Sequence, residues 1–398
     1  MRGRPIPMTW THDPAVYAPP RYRRACAYEA FEPSPVHGEP FPLPAETAGI
    51  VSEAERAIVS LNAAPQPALA PLARLLLRTE SIASSKVEGL QVDARSLARA
   101  EARGDVGAGV GAEVREVLAN IDAMQLAVEE TSGSPRIGLE QIRLIHEALI
   151  GAATDSRVAG RVRTAQNWIG GNDFNPCGAD FVPPPPAAVA PLIDDLSAFM
   201  ESDTLPPLVQ AAIAHAQFET IHPFEDGNGR TGRALIHVVL RRRGLTPAFI
   251  PPISVVLARR RAAYIEGLTA FREDRVSEWV DHFAAAAAES ARLATSYLAA
   301  VGRLQETWRE RLRSEVAPRS DAAAWSLIEV LPAHPVVTVA IGAAATGRTR
   351  PAVNQAVRML EAAGVLVPLT AGRRNRAWES RGLLDLLGDL EAGGPAGG

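Results

Sequence analysis

The chain has 398 residues and a formal net charge of −4, with 47% hydrophobic and 22% charged residues. This suits two or three domains around a large buried core, and it argues against a whole-protein field for nucleic acid or an acidic membrane. Two cysteines, Cys26 and Cys177, are too few for a disulfide framework and fit a reducing compartment. The basic start, Met1 to Arg4, is followed by no apolar signal region, and no apolar tract approaches a membrane span. The expectation is therefore a cytoplasmic protein with no membrane partner.

Residues 1–44 are rich in proline and aromatics and read as extended, non-regular chain laid over a surface. Helical periodicity follows over Ala45 to Asn62, Leu72 to Val87, a short polar stretch Arg95 to Gly104, Glu113 to Glu129 and Leu139 to Ile150. A Gly-rich loop runs to Gly111. Thr154 to Pro186 changes character, and Arg161 to Ile169 with Ala179 to Val182 is predicted as a hairpin of two short strands. Helices resume at Ala188 to Ser202 and at Pro207. Ser254 to Ala270 is predicted as one helix with a serine cap, and Val276 to Ala300 as a long one. Residues 301–320 are highly charged and read as a linker. Then Ala322 to Val330, Thr338 to Ala345 and Arg350 to Ala363 form short helices. Val365 to Leu369, a basic turn over 371–376 and Ala377-Trp378 read as strand, turn, strand. The Gly/Ala-rich tail, 391–398, is expected to be disordered.

The densest chemistry lies between Ile221 and Arg233. Val209, Ala212, Ile213 and Ala216 before it, and Leu235, Val238 and Val239 after it, make a helix, a tight loop and a second helix. A Gly-x-Gly loop entering a helix exposes unpaired N–H groups at the positive end of the helix dipole, a seat for an anion. Arg230 and Arg233, read as first-turn residues, are unfavourable there unless a phosphate faces them. Lys86 is the only lysine, so no Walker-type loop exists, and a phosphate site must use arginines and backbone N–H groups. His222, with an ordinary pKa of about 6.5, suits removal of a hydroxyl proton. Taken alone, a histidine ending a helix before a proline is more often a C-terminal cap than a base. Phe224 reads as a core plug that fixes the loop, and Asp226 before glycine as a turn former.

The run His222-Pro223-Phe224-x-Asp226-Gly227-Asn228-Gly229-Arg230-x-x-Arg233 resembles the signature of the Fic family, proteins that mostly transfer AMP from ATP to protein hydroxyls. It matches every defined position. The resemblance implies a mainly α Fic-type core with a β-hairpin flap. It makes His222 the catalytic base and Asp226 the ligand of Mg²⁺. Gly227, Asn228 and Gly229 would cradle the phosphates, the Asn228 amide included, and Arg230 and Arg233 would bind the outer phosphates.

A second constellation is Ser84-Ser85-Lys86-Val87-Glu88-Gly89. Ser84 and Glu88 lie four apart, on one face of a helix stopping at Gly89. On its own this is a helix end with a solvated Glu. It also resembles the inhibitory motif of many Fic proteins, which implies that Glu88 pairs with Arg233 and keeps ATP in an unproductive pose. The predicted hairpin resembles the Fic flap, with Trp168, Ile169, Gly170, Phe181 and Val182 offering a strand edge to a target segment. Residues 22–31 are similar to the arm found N-terminal to many Fic cores, and Tyr264 is read either as an adenine neighbour or as core. From Asp321 to Arg381 seven arginines face four acids, and three helices with a two-stranded wing resemble a winged helix that would contact DNA or protein.

The chain thus divides into an arm and helices with the inhibitory motif (1–110), a catalytic core (111–300), a linker (301–320), a winged helix (321–390) and a tail (391–398). The expected function is protein adenylyltransfer from ATP, on a target protein or on the chain itself, held in check by Glu88. Rivals are a Fic enzyme with another nucleotide or reaction and a winged-helix regulator that senses nucleotide. The target and any homodimer stay open.

Overall fold

The computed structural model describes residues 2–15, 17–63, 70–105, 111–134, 136–151, 157–369 and 376–394. In chain order the elements are strands β1 (Gly3–Trp10) and β2 (Cys26–Pro33), then helices α1 (Ala45–Asn62), α2 (Ala70–Val87), α3 (Ala94–Asp105), α4 (Ala112–Glu129), α5 (Leu139–Gly151), α6 (Pro186–Glu201), α7 (Pro207–Ile221), α8 (Asn228–Arg242), α9 (Ile253–Arg259), α10 (Arg261–Arg272), α11 (Val276–Glu315) and α12 (Ala323–Val330). Strand β3 (Val336–Thr338), helices α13 (Val339–Thr346) and α14 (Arg350–Ala362), strands β4 (Leu366–Pro368) and β5 (Ala377–Ser380), and helix α15 (Leu383–Ala392) follow. The protein is mainly α, as expected. Among the described residues no helix is long and apolar enough to cross a membrane. The chain forms two compact units: Met1–Ser52, Ala123–Leu245 and Ala262–Ala285 in one, and Glu53–Asp122, Thr246–Arg261 and Ala286–Gly398 in the other.

The first unit is built on α7 and α8. Its sequence pattern predicts one apolar face for α7, yet every residue from Leu208 to Ile221 is buried. The polar residues go inside because each serves a neighbour. Gln210 Nε2 donates to the carbonyls of Phe199, Met200 and Ser202 at 2.8, 3.2 and 2.6 Å, closing the open end of α6. Gln217 Nε2 donates to the Ser34 carbonyl at 3.0 Å. Gly232 lets α8 approach α7, since a Cβ there would stand 2.5 Å from Glu219 Oε1 and 2.9 Å from Phe218 Cδ1. Fully buried Trp279 of α11 donates its indole N–H to the Ala212 carbonyl at 2.8 Å.

Several local expectations are corrected. The N-terminal arm is a two-stranded ribbon, β1 against β2, in register from Gly3 opposite Pro33 to Trp10 opposite Cys26. Pro5 and Pro7 are two apart and exposed, so both missing N–H groups fall on the edge that a two-stranded ribbon leaves unpaired. Cys26 and Cys177 are joined as a disulfide with Cα atoms 6.3 Å apart, not held as two separate thiols. The predicted hairpin is reduced to one bridge, Ile169 with Phe181. Pro183 to Pro186 have no N–H to extend it, and the Val182 carbonyl accepts instead from the Phe31 N–H of β2 at 2.9 Å.

In the second unit, Ser254 is no helix cap. The buried carboxylate of Glu80, on α2, accepts from the Ser254 N–H at 2.8 Å and from its hydroxyl at 2.6 Å, and so caps α9 from outside. The predicted helix there breaks at Arg260 into α9 and α10. The charged stretch read as a linker is helical to Glu315, with Glu306 bridging Arg309 at 3.1 Å and Arg313 at 3.2 Å. The C-terminal part packs α12, α13 and α14 with an antiparallel sheet in the order β3-β5-β4. One strand more than expected is present, because three residues are too short for a periodicity to show. Glu391 belongs to α15 rather than to a loose tail. The tip of the basic turn (370–375), the end of the tail (395–398) and most of the Gly-rich loop (106–110) lie outside the described residues.

Candidate active site

Helix α7 ends at His222, which takes the left-handed conformation, φ 51° and ψ 61°. This is uncommon for a residue with a Cβ and reverses the chain immediately before Pro223. The His222 Nδ1 lies 3.3 Å from the Glu219 carbonyl oxygen. A proton on Nδ1 would serve that carbonyl and put the ring's lone pair on Nε2. Phe224 is fully buried and stacks on the His146 imidazole, centroids 3.8 Å apart and planes within 3°. Asn228 braces the loop through both ends of its amide. Its Oδ1 accepts from the Phe224 N–H and its Nδ2 donates to the Phe224 carbonyl, each at 2.9 Å. One amide hydrogen and the amide oxygen are thus committed to the loop, and the second Nδ2 hydrogen and the backbone N–H are what Asn228 can offer an anion.

Gly227 opens α8 with φ 77°, and a Cβ there would press on Leu149 and Ile150 at 3.1 Å. Its N-cap, Gly227, has no side chain to cap the helix, whose first N–H groups are of the kind that seat an anion. Arg230 stands in the first turn and Arg233 in the second, not both in the first; both are buried. The Arg230 guanidinium lies 3.5 Å from the Asp226 carboxylate, whose side chain is 73% exposed. The other Asp226 oxygen accepts from the Gly227 N–H at 2.7 Å.

Among the described residues no three His, Cys, Asp or Glu side chains converge as a metal cage. A single exposed carboxylate does fit Mg²⁺ carried on a triphosphate, which takes one or two protein oxygens and completes its shell with phosphate and water.

Three residues at this loop escape sequence reasoning. His146, on α5, accepts from the Gly160 N–H at Nδ1 (3.0 Å), so its proton sits on Nε2 and is donated to the Asp226 carbonyl at 2.9 Å. Burial lowers its pKa to about 4 and keeps it neutral. Its position on the apolar stripe with Ile142, Ile145 and Leu149 was the available signal. Arg163 donates to the carbonyls of Ile221 and His222, and Asn167 Nδ2 donates to that of Phe224 at 2.9 Å. Neither stands out in a Gly-rich stretch.

The remaining predicted residues lie elsewhere. In the second unit Ser84 is fully buried on α2, and Glu88 is exposed one position beyond the end of that helix. Gly89 follows with φ 92°. In the flap, the Trp168 indole donates to the Asn172 carbonyl at 2.6 Å, and Ile169 and Gly170 are exposed. Phe181 lies under the Arg272 guanidinium at 4.1 Å and beside Phe31, and Val182 is buried. Tyr264 is a core residue, its hydroxyl 2.9 Å from His215 Nε2.

The Fic/DOC family model matches residues 136–240, and the Fic/DOC family N-terminal model matches 50–129. The chain is 35% identical over 115 residues to protein adenylyltransferase fic-1 of Caenorhabditis elegans, covering 29% of this chain and 21% of that protein. It is 28% identical over 240 residues to protein adenylyltransferase Fic of Drosophila grimshawi, covering 56% and 47%. The matches thus span from about a fifth to about half of these relatives' length. The crystal structure of a Fic family protein from Desulfovibrio desulfuricans G20 superposes with a TM-score of 0.53 at 20% identity, covering 87% of this chain and 99% of that one. The solved structure of Fic-1 from C. elegans gives 0.50 at 21% identity, covering 64% and 73%. The segment that matches the Fic/DOC family model contains the whole loop from His222 to Arg233, and the fold over most of the chain is similar to that of a solved Fic family protein.

Proposed function

We propose that this protein is an adenylyltransferase that moves AMP from ATP to a Ser, Thr or Tyr hydroxyl of a target protein or of itself. The observation that carries the reading is one loop with His222 at the end of α7 and the glycine-led N-terminus of α8 five residues on, Arg230 in its first turn. His222 Nε2 takes the hydroxyl proton as the oxygen attacks the α-phosphorus. The bond from the α-phosphorus to the bridging oxygen breaks, and pyrophosphate leaves with that electron pair. The N–H groups of Asn228 and Gly229, with Arg230 and Arg233, hold the triphosphate in line for this displacement. Asp226 would hold Mg²⁺, which neutralises charge on the triphosphate when bound.

Glu88 restrains Arg233 in this reading, and supporting it is the Ser-x-x-x-Glu-Gly spacing at 84–89. The flap edge at Trp168, Ile169 and Gly170 receives the target segment, with Phe181 and Val182 as its backing. Three helices and an antiparallel sheet support a winged helix at the C-terminus, a docking module for DNA or for a second protein or copy of the chain.

Labelled ATP tests the reaction. Glu88→Gly is expected to raise labelling of lysate bands or of the protein itself about tenfold or more, and His222→Ala to abolish it. The mass added must be that of AMP. A phosphate or another nucleotide moiety would point to a different Fic reaction. Retained ATP binding with no transfer by Glu88→Gly would make the core a nucleotide sensor.

A further inference from the structure

We infer that Arg163 is the positioning residue of the base: it clamps the peptide groups on both sides of His222 and so sets the direction of the imidazole. The inference rests on the reading of His222 as the base. Arg163 stands at the root of the flap and is 3% exposed. Its Nε donates to the His222 carbonyl at 2.8 Å. Its Nη2 donates to the carbonyls of Ile221 at 3.3 Å and Pro184 at 2.5 Å, and its Nη1 to that of Ala165 at 3.3 Å. Its own backbone N–H donates to the Pro223 carbonyl at 2.9 Å.

Three consecutive carbonyls, of Ile221, His222 and Pro223, are therefore held by one residue. The Ile221 carbonyl belongs to the peptide plane before His222 and reports its φ; the His222 carbonyl belongs to the plane after it and reports its ψ. Fixing both planes fixes both dihedrals of a left-handed residue that its Cβ disfavours. Those same carbonyls are the unsatisfied end of α7, where a cation is favoured. Among the described residues no carboxylate pairs with Arg163, so the charge is held by neutral carbonyls and the helix end. Burial lowers its pKa to about 10, which leaves it charged at neutral pH. A planar fork reaches four carbonyls at once, and an ammonium on a flexible stem does not.

The same flap limb carries Asn167, whose Nδ2 reaches the Phe224 carbonyl at 2.9 Å and the His222 carbonyl at 3.4 Å. The root of the target-binding limb and the catalytic loop are thus one hydrogen-bonded body.

Arg163→Lys and Arg163→Met in the full chain, with and without Glu88→Gly, test this by two readouts. Amide hydrogen exchange at 221–227 should speed up by about tenfold or more, while exchange in α14 stays unchanged. In the Glu88→Gly background kcat should fall roughly a hundredfold, with ATP affinity within about twofold of the parent, because a base displaced by about an ångström loses rate and not nucleotide. If Arg163→Met does not fold, Arg163→Lys, which keeps the buried charge, carries both readouts. Unchanged exchange at 221–227 in Arg163→Lys overturns the inference, as does ATP affinity lost in proportion to rate. If Glu88→Gly alone transfers nothing, the adenylyltransferase reading fails while the exchange data still decide the role of Arg163.

Discussion

His146 shows how much of the site depends on side chains outside the motif. It stacks on Phe224, grips the Asp226 carbonyl and receives the Gly160 N–H, and the last contact requires the neutral ring. Burial, its largest influence, brings its pKa to about 4; it also brings His215 to about 3 and His334 to about 4. All three fall below the ordinary value of about 6.5, so between these limits the unfolded chain binds protons that the folded chain does not. Stability is fully present above about pH 6.5 and is lost as pH falls toward 4, by up to about 3 kcal/mol for one such histidine. Melting temperature should drop steeply from pH 6.5 to 4.5. His146→Gln keeps a donor and an acceptor without a titrating ring, so its profile should be shallower by one proton. An unchanged slope would remove His146 from this account. The candidate site was legible because His222 to Arg233 is contiguous and its residue types have few other uses together. His146 and Arg163 were not, because what defines them is the carbonyl each meets across the fold.

Elements divide along the same line. Periodicity found α1 to its end residues and most other helices to within two, since burial on one face leaves a local trace. It missed β1 with β2, whose pairing joins residues with no shared local pattern, and it overdrew the flap, where prolines remove the donors a ladder needs. The flap is ordered by contacts with the arm instead. Tyr22 stacks on Phe174 at 5.1 Å, Asn175 Nδ2 donates to the Tyr22 carbonyl at 3.0 Å, and Cys26 joins Cys177. A cross-link between residues 151 apart removes loop entropy worth up to about 5 kcal/mol on the chain-entropy account. Protein purified without reductant should therefore show no reactive thiol when denatured, and two after reduction. Its melting temperature should fall on reduction and in Cys177→Ser alike. Two reactive thiols before reduction would show the pair to be unlinked.

At the scale of the whole molecule, the only lysine in the chain ties the motif at 84–89 to the far end of the sequence. Lys86 lies in the last turn of α2, two residues before Glu88, and its ammonium meets the Glu391 carboxylate of α15 at 2.5 Å. The Glu391 side chain is 5% exposed; burial raises its pKa, and Lys86 pulls it back down. Removing one partner of such a pair strands the other, and the disturbance falls on the turn that carries Glu88. The Arg261 side chain holds that turn from another side, donating to the Val87 carbonyl at 3.1 Å. If Glu88 restrains Arg233 as proposed, the C-terminal helix governs how firmly that restraint is held. Glu391→Gln and Lys86→Met should each raise labelling from ATP by a few-fold, less than Glu88→Gly does. The double variant should add nothing beyond either single one, because both remove the same link. Labelling unchanged in both single variants would uncouple α15 from the motif. An effect that adds in the double variant would assign the two side chains separate roles.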